Sequence, residues 1–271
     1  MNLRPVTRPA LSRRPLSAKV LAVGSGKGGV GKTWLSSTLA AALGRAGRRA
    51  LLVDCDLGLA NVDVQLGVRP MADLASVLKG WVEMEAAITP VMGGPGRAGG
   101  FDLVSGVSGE GTLNNLSSDD LLSLASGVRR VAPHYDWVIM DLAAGIDTQV
   151  MRLARSADRV MIVTTEEPTA LTDAYAFAKI FRLGNHEAPA PWITVNLAEN
   201  RLKGRHIYDQ FAGACERFLG FRPPLAGVIC RDPRVVDAIR AQTPLSIRHP
   251  QATAFDDVMR IAETISAPSQ A

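Results

Sequence analysis

Eight consecutive residues, Gly26-Lys27-Gly28-Gly29-Val30-Gly31-Lys32-Thr33, fit the spacing G-x-x-x-x-G-K-[ST] and follow the apolar run Val20-Leu21-Ala22-Val23. The chemistry of that pattern is phosphate binding. A buried strand that ends in a glycine-rich turn presents the next helix by its N-terminus, with free N–H groups and the positive end of the dipole aimed at an anion. At the glycines a Cβ would keep the backbone away from the phosphates, so Gly26 through Trp34 is the expected nucleotide-contacting stretch. Lys32 is positioned to reach the β- and γ-phosphates, and the Thr33 hydroxyl to ligate Mg²⁺.

Acids at two later positions suit the same chemistry. In Leu51-Leu52-Val53-Asp54-Cys55-Asp56 two carboxylates stand just past an apolar run, and side-chain alternation puts Asp54 and Asp56 on one side of an extended chain. Such acids orient metal-bound water or the attacking water in phosphoryl transfer, which depends on positioning and charge stabilisation. Asp136-Trp137-Val138-Ile139-Met140-Asp141 is a second apolar strand ending in an acid, followed by Leu142-Ala143-Ala144-Gly145. There Asp141 is expected to hold Mg²⁺ through water, with the glycine turn sensing the γ-phosphate. Lys27 is a second cation inside the loop, and it repels Lys32 unless phosphate neutralises both.

These groups need a scaffold that gathers strand ends. Short apolar runs near 19–24, 50–54, 102–105, 137–141, 159–164, 192–196 and 225–230 alternate with helical patterns, which predicts a mostly parallel central sheet with helices on both faces. Ligands in such α/β folds sit at the carboxyl ends of the strands, where every motif above falls. The chain has 271 residues, 47% of them hydrophobic and 21% charged, enough for a substantial core, and no apolar run approaches a membrane span. We expect one ATPase domain over 19–267 and a short tail over 268–271. The glycine-rich segment 92–100 reads as a flexible loop.

Residues 1–18 contain Pro5, Pro9 and Pro15 and read as a disordered basic tail. Arg4, Arg8, Arg13, Arg14 and Lys19 contribute +5 with no acid among residues 1–19, against a net charge of +4 for the chain, so the remainder carries −1 and is nearly neutral. No signal-peptide apolar core follows, which predicts a cytoplasmic location. Cys55, Cys215 and Cys230 lie far apart with no C-x-x-C, and the four histidines lack ligand spacing, which argues against a disulfide framework, a zinc site or a metal cluster. Mg²⁺ with a nucleotide is the metal to expect.

Together the motif Lys27-Gly28-Gly29-Val30-Gly31-Lys32-Thr33, the Asp54-Cys55-Asp56 pair and the strand ending at Asp141 resemble the deviant Walker P-loop NTPases of the MinD/ParA class from residue 19 to about 265. The resemblance implies an ATP- and Mg²⁺-dependent ATPase that forms a nucleotide-sandwiched homodimer. It gives Lys27 a reach to the partner's phosphates, Asp56 the water-orienting role and Asp54 a place supporting the Mg²⁺ shell. The segments Asp56–Gly67, Glu166–Ala176 and Val195–Asn200 are most similar to the FlhG group, also called FleN or YlxH, which limits flagellar number.

That similarity implies an adenine contact at Asn196 and passage of the Gly227–Asp232 loop, with Arg231 and Asp232, beside the base. Many relatives have proline where Cys230 stands. It also implies flagellar assembly partners such as an FlhF-type GTPase, although the tail lacks the Asp-Gln-Ala-type motif that stimulates that GTPase. A membrane-targeting C-terminal helix is expected of the group, and Phe255, Val258, Met259, Ala262 and Ile265 do form a helical stripe. Its polar face carries Asp256, Asp257 and Glu263 against Arg260, a charge that anionic lipid repels, so we read a helix docked on the core. Peripheral membrane contact through the basic tail remains open, as does a ParA-like positioning role on DNA or another cargo.

Overall fold

The computed structural model describes residues 19–56, 58, 60–106, 116–183 and 188–267. The expected basic tail over 1–18 and the final tail over 268–271 lie outside the described residues, as do Leu57 and Leu59. Eight strands form one sheet: β1 (Lys19–Ser25), β2 (Ala50–Cys55), β3 (Ile88–Val91), β4 (Phe101–Val104), β5 (Trp137–Ala144), β6 (Arg159–Thr164), β7 (Trp192–Ala198) and β8 (Leu225–Cys230). Their spatial order is β3-β4-β2-β5-β1-β6-β7-β8, and every pairing is parallel except β3 with β4.

The helices are α1 (Lys32–Arg45), α2 (Val62–Leu66), α3 (Leu74–Leu78), α4 (Ser118–Val131), α5 (Thr148–Ser156), α6 (Pro168–Leu183), α7 (Arg201–Leu219), α8 (Pro233–Arg240), α9 (Leu245–Arg248) and α10 (Thr253–Ser266). Alternation along the strands feeds two cores. Val20, Ala22, Leu51, Val53, Val138 and Met140 pack in the one that holds α4 to α7. Leu21, Val23, Leu52, Trp137 and Ile139 pack in the other, against α1 and α10.

The sheet agrees with the sequence pattern at seven strands and adds β3. This edge strand reads poorly because it has only four residues, Pro90 among them, and proline gives no ladder donor. The segment 92–100, expected to be flexible, is instead a series of hydrogen-bonded turns between β3 and β4. Gly94 N–H donates to Val91 C=O at 3.0 Å and Gly100 N–H to Arg97 C=O at 2.9 Å. A Cβ on Gly44 of α1 would lie 2.4 Å from the Gly100 carbonyl, so the loop packs directly on that helix. The glycines serve close approach here.

α10 is docked as its charge pattern predicts. Phe255, Val258, Ala262 and Ile265 are buried, with Met259 partly so, against β8 and α1. Phe255, Val258 and Ile265 each contribute about 1.5–3 kcal/mol to the fold by being buried, which opposes release of the helix to a lipid surface. Among the described residues no helix is long and apolar enough to cross a membrane.

Candidate nucleotide site

Strand register brings the two acids together. β2 and β5 pair in parallel with Asp54 opposite Asp141, both on the face that carries α1, and both are fully buried. Adjacent strands lie about 4.8 Å apart, so two carboxylates are held side by side beneath the first turn of α1. Lys32 reaches down from that turn, and its Nζ lies 3.3 Å from Asp141 Oδ1. Ser36, one turn on, donates its hydroxyl to the same oxygen at 2.8 Å. Sequence reasoning missed Ser36, although the i,i+4 spacing from Lys32 puts both on one face of α1.

The loop before α1 is built to receive an anion. Helices α4, α5, α7 and α8 begin with side-chain caps from Ser117, Asp147, Asn200 and Asp232. α1 begins at Gly31, which is left-handed at φ 85° and supplies no side-chain cap. Its first N–H groups are therefore left for a ligand. A Cβ at Gly28 or Gly29 would meet nothing within 4 Å, whereas one at Gly26 would lie 2.2 Å from the Asp173 carbonyl and one at Gly31 2.3 Å from Asn196 Nδ2. Gly26 and Gly31 are thus fixed by packing, and Gly28 and Gly29 border open space. Val30 and Trp34 are buried and Thr33 is half-buried beside the cluster.

Burial dominates the electrostatics. It pushes Asp54 up to about 7, with the Asp141 charge adding to the rise and hydrogen bonds from the Val62 and Asp56 amides opposing it. Asp141 is also raised by burial, even though Lys32, Thr33 and Ser36 pull the other way. Asp141 Oδ2 is buried and has no hydrogen-bond partner. Two crowded carboxyls, one orphaned oxygen and a nearby threonine hydroxyl fit a hard divalent cation with oxygen ligands, so Thr33, Asp54 and Asp141 suit Mg²⁺. Asp56 follows one residue beyond Cys55, half-buried at the mouth, and donates its amide to Asp54 Oδ1 at 3.1 Å. Cys55 packs in the opposite core.

Lys27 points away from Lys32. Its Nζ pairs with Glu167 Oε2 at 2.8 Å and donates to Thr169 Oγ1 at 2.9 Å, both at the start of α6. Lys27, and then Arg231, hold the exposed Glu167 carboxyl below its ordinary value. The partners Glu167 and Thr169 had no separate signal in the sequence.

The residues expected around the base divide. Asn196, buried at the end of β7, donates Nδ2 to the Val30 carbonyl at 2.8 Å and so touches the phosphate loop directly. Arg231 is exposed, and its amide donates to Ala198 C=O at 2.8 Å. Asp232 is buried, and both of its oxygens are engaged, Oδ1 by the Arg234 amide and Nε and Oδ2 by Arg234 Nη2 and the Ala254 amide. Its carboxylate therefore caps α8 and ties that helix to α10.

The family described as the CobQ/CobB/MinD/ParA nucleotide binding domain matches residues 21–245. The chain is 34% identical over 249 residues to the antiactivator FleN of Pseudomonas aeruginosa, covering 92% of this chain and 86% of that protein. To the flagellum site-determining protein YlxH of Helicobacter pylori it is 33% identical over 194 residues, 72% of this chain and 63% of that protein. Its fold matches the septum site-determining protein MinD of Pyrococcus horikoshii, solved in complex with Mg-ADP, at a TM-score of 0.71 and 23% identity, covering 92% of this chain and 96% of that one.

Proposed function

Because this chain belongs to the CobQ/CobB/MinD/ParA nucleotide-binding family and is an ATPase of it, we propose that it is a Mg²⁺-dependent switch that dimerises on ATP and sets the number or placement of flagella. The observation that carries the switch is the contrast between two lysines of one loop. Lys32 is buried on Asp141, and Lys27 is held at the surface by Glu167. Only the second can leave its own subunit. The flagellar part rests on the similarity to FleN and YlxH, and in this reading the partners are flagellar assembly proteins, an FlhF-type GTPase among them. We place this work in the cytoplasm, with peripheral contact at the inner membrane face.

In this reading the amides of Gly28 to Thr33 bind the β- and γ-phosphates, and Lys32 turns from Asp141 to the bridging charge. Thr33, Asp54 and Asp141 would hold Mg²⁺, which would supply charge neutralisation at the phosphates. Asp56 orients the attacking water. Lys27 exchanges Glu167 for a phosphate of the facing subunit, so hydrolysis follows dimerisation. Asn196 holds the loop's Val30 carbonyl and borders the adenine, with Arg231 and the Asp232 backbone across the base.

Sedimentation of the wild type and Lys27→Ala with and without ATP tests the switch. The wild type should shift to a dimer with ATP and the variant should not; an unchanged variant dimer would overturn the sandwich. Gene deletion followed by counting flagella by electron microscopy tests the cargo. Extra or misplaced flagella support the reading, and unchanged flagella would move the cargo to DNA or the division machinery while leaving the ATPase intact.

A further inference from the structure

A second polar cleft lies beside the nucleotide site and has no part in the chemistry above. It occupies 330 Å³ between α2, the 68–73 segment, α3 and the residues after β4. Asp63 of α2 is 7% exposed, and its Oδ1 is buried without a hydrogen-bond partner. Ser105 is 1% exposed, and its Oγ is likewise buried and unpartnered. Asp73 lines the same space, with Oδ1 accepting from the Ser76 amide at 2.8 Å and the Ser76 hydroxyl at 2.7 Å. Arg69 stands exposed at the rim and makes no ion pair with Asp63.

A buried carboxylate without a cation is costly, and each unsatisfied buried polar group costs about 1–3 kcal/mol. Both residues line one cleft, where an occupant that donates hydrogen bonds and carries positive charge would satisfy them. Among the described residues no three His, Cys, Asp or Glu side chains converge as a metal site, and the cleft is far roomier than a bare ion. We infer that it binds a guanidinium or primary ammonium group with its aliphatic stem, donating to Asp63 and Ser105. The source is either a free alkyl diamine or guanidine, or an arginine or lysine side chain of a partner polypeptide.

The position gives the cleft a route to the nucleotide. Asp54 Oδ2 accepts the amides of Asn61 and Val62, each at 3.2 Å, and Asp63 is the next residue. A Cβ on Gly106, which lines the cleft, would lie 2.9 Å from the Asp54 carbonyl oxygen. An occupant that fixes the start of α2 therefore also fixes the amides that position Asp54. The binding itself does not depend on the flagellar reading.

Isothermal titration of the full-length, nucleotide-free protein with agmatine tests the site, because agmatine carries both groups. Saturable binding should weaken about tenfold or more in Asp63→Asn and, less strongly, in Ser105→Ala. Arg69→Ala should tighten it by removing a like charge. Parallel titrations with putrescine and with N-acetyl-arginine amide separate the sources. Preference for the diamine indicates a free ligand, and preference for the capped arginine indicates a polypeptide side chain. Agmatine affinity unchanged in Asp63→Asn or weakened in Arg69→Ala would overturn the proposal. Thermal melting supplies an independent arm. A ligand-binding Asp63 is unpartnered in the free protein, so Asp63→Asn should melt no lower than wild type; a clear drop would mark Asp63 as structural and sink the inference.

Discussion

Two groups of buried carboxylates sit on the same side of this sheet and are treated in opposite ways. Asp54 and Asp141 are crowded together, raised by burial, and one oxygen of Asp141 has no partner. Asp257 and Asp232, near the end of β8, are saturated. Asp257 Oδ1 takes Arg201 Nε and Nη2 at 3.0 and 2.7 Å and Arg260 Nη1 at 3.1 Å, and its Oδ2 takes the Cys230 amide at 3.0 Å. Asp232 is held below its ordinary value by Arg234. The difference teaches which acids are scaffold and which wait for a ligand, since a folded chain does not leave buried charge unpaired without a use for it.

The sharpest way to break this comparison is pH. Asp54 has a folded pKa of about 7 against 3.8 for the free group, so the unfolded chain releases this proton first. The contribution of Asp54 to the stability of ligand-free protein should be fullest below about pH 4, fall on the order of a few kcal/mol as pH rises toward about 7, and then level off. Denaturant titration in chelator measures this, and the Asp54→Asn variant should lose most of that slope. Parallel profiles for the two proteins would show that Asp54 is as well satisfied as Asp257.

Lys32→Ala comes next, with ATP turnover falling about 10²–10³-fold in a phosphate-release assay through loss of charge stabilisation. Retained turnover would mean that Lys32 is only a partner for Asp141. On the scaffold side, Asp257→Ala should cost about 2–3 kcal/mol in urea unfolding. That is less than a fully buried pair, because Arg201 and Arg260 can return to water while the Cys230 amide stays unsatisfied. The smallest effect belongs to Glu167→Gln. Both partners of the Lys27 pair are exposed, so monomer stability should be essentially unchanged. A larger loss would make Lys27 part of the scaffold and weaken its assignment as the mobile cation.

Much of the fold was legible because parallel strands buried on both faces read as apolar runs, and seven of them appear as such. β3 escaped because four residues with a proline carry little pattern. The glycines of 92–100 misled because composition reports backbone freedom and not what packs against it: there Gly44 and Gly100 lie in contact. In the site, Lys32 and Thr33 were legible from spacing alone. Glu167, which holds Lys27 across 140 positions of chain, was not. Asp232 was expected at the base by analogy, and the structure spends its carboxylate on Arg234 and Ala254.

The sequence by itself determined that a phosphate loop follows β1, that acids end β2 and β5, and that the stripe on α10 faces a core, because these depend on local spacing and periodicity. Only the tertiary structure decided that Asp54 and Asp141 stand opposite one another, that Asn196 meets the loop carbonyl, and that Lys27 and Lys32 have different environments. Those facts come from strand register and helix docking, which join residues far apart in the chain. It is burial, a property of the whole fold, that turns two ordinary aspartates into a site needing a cation.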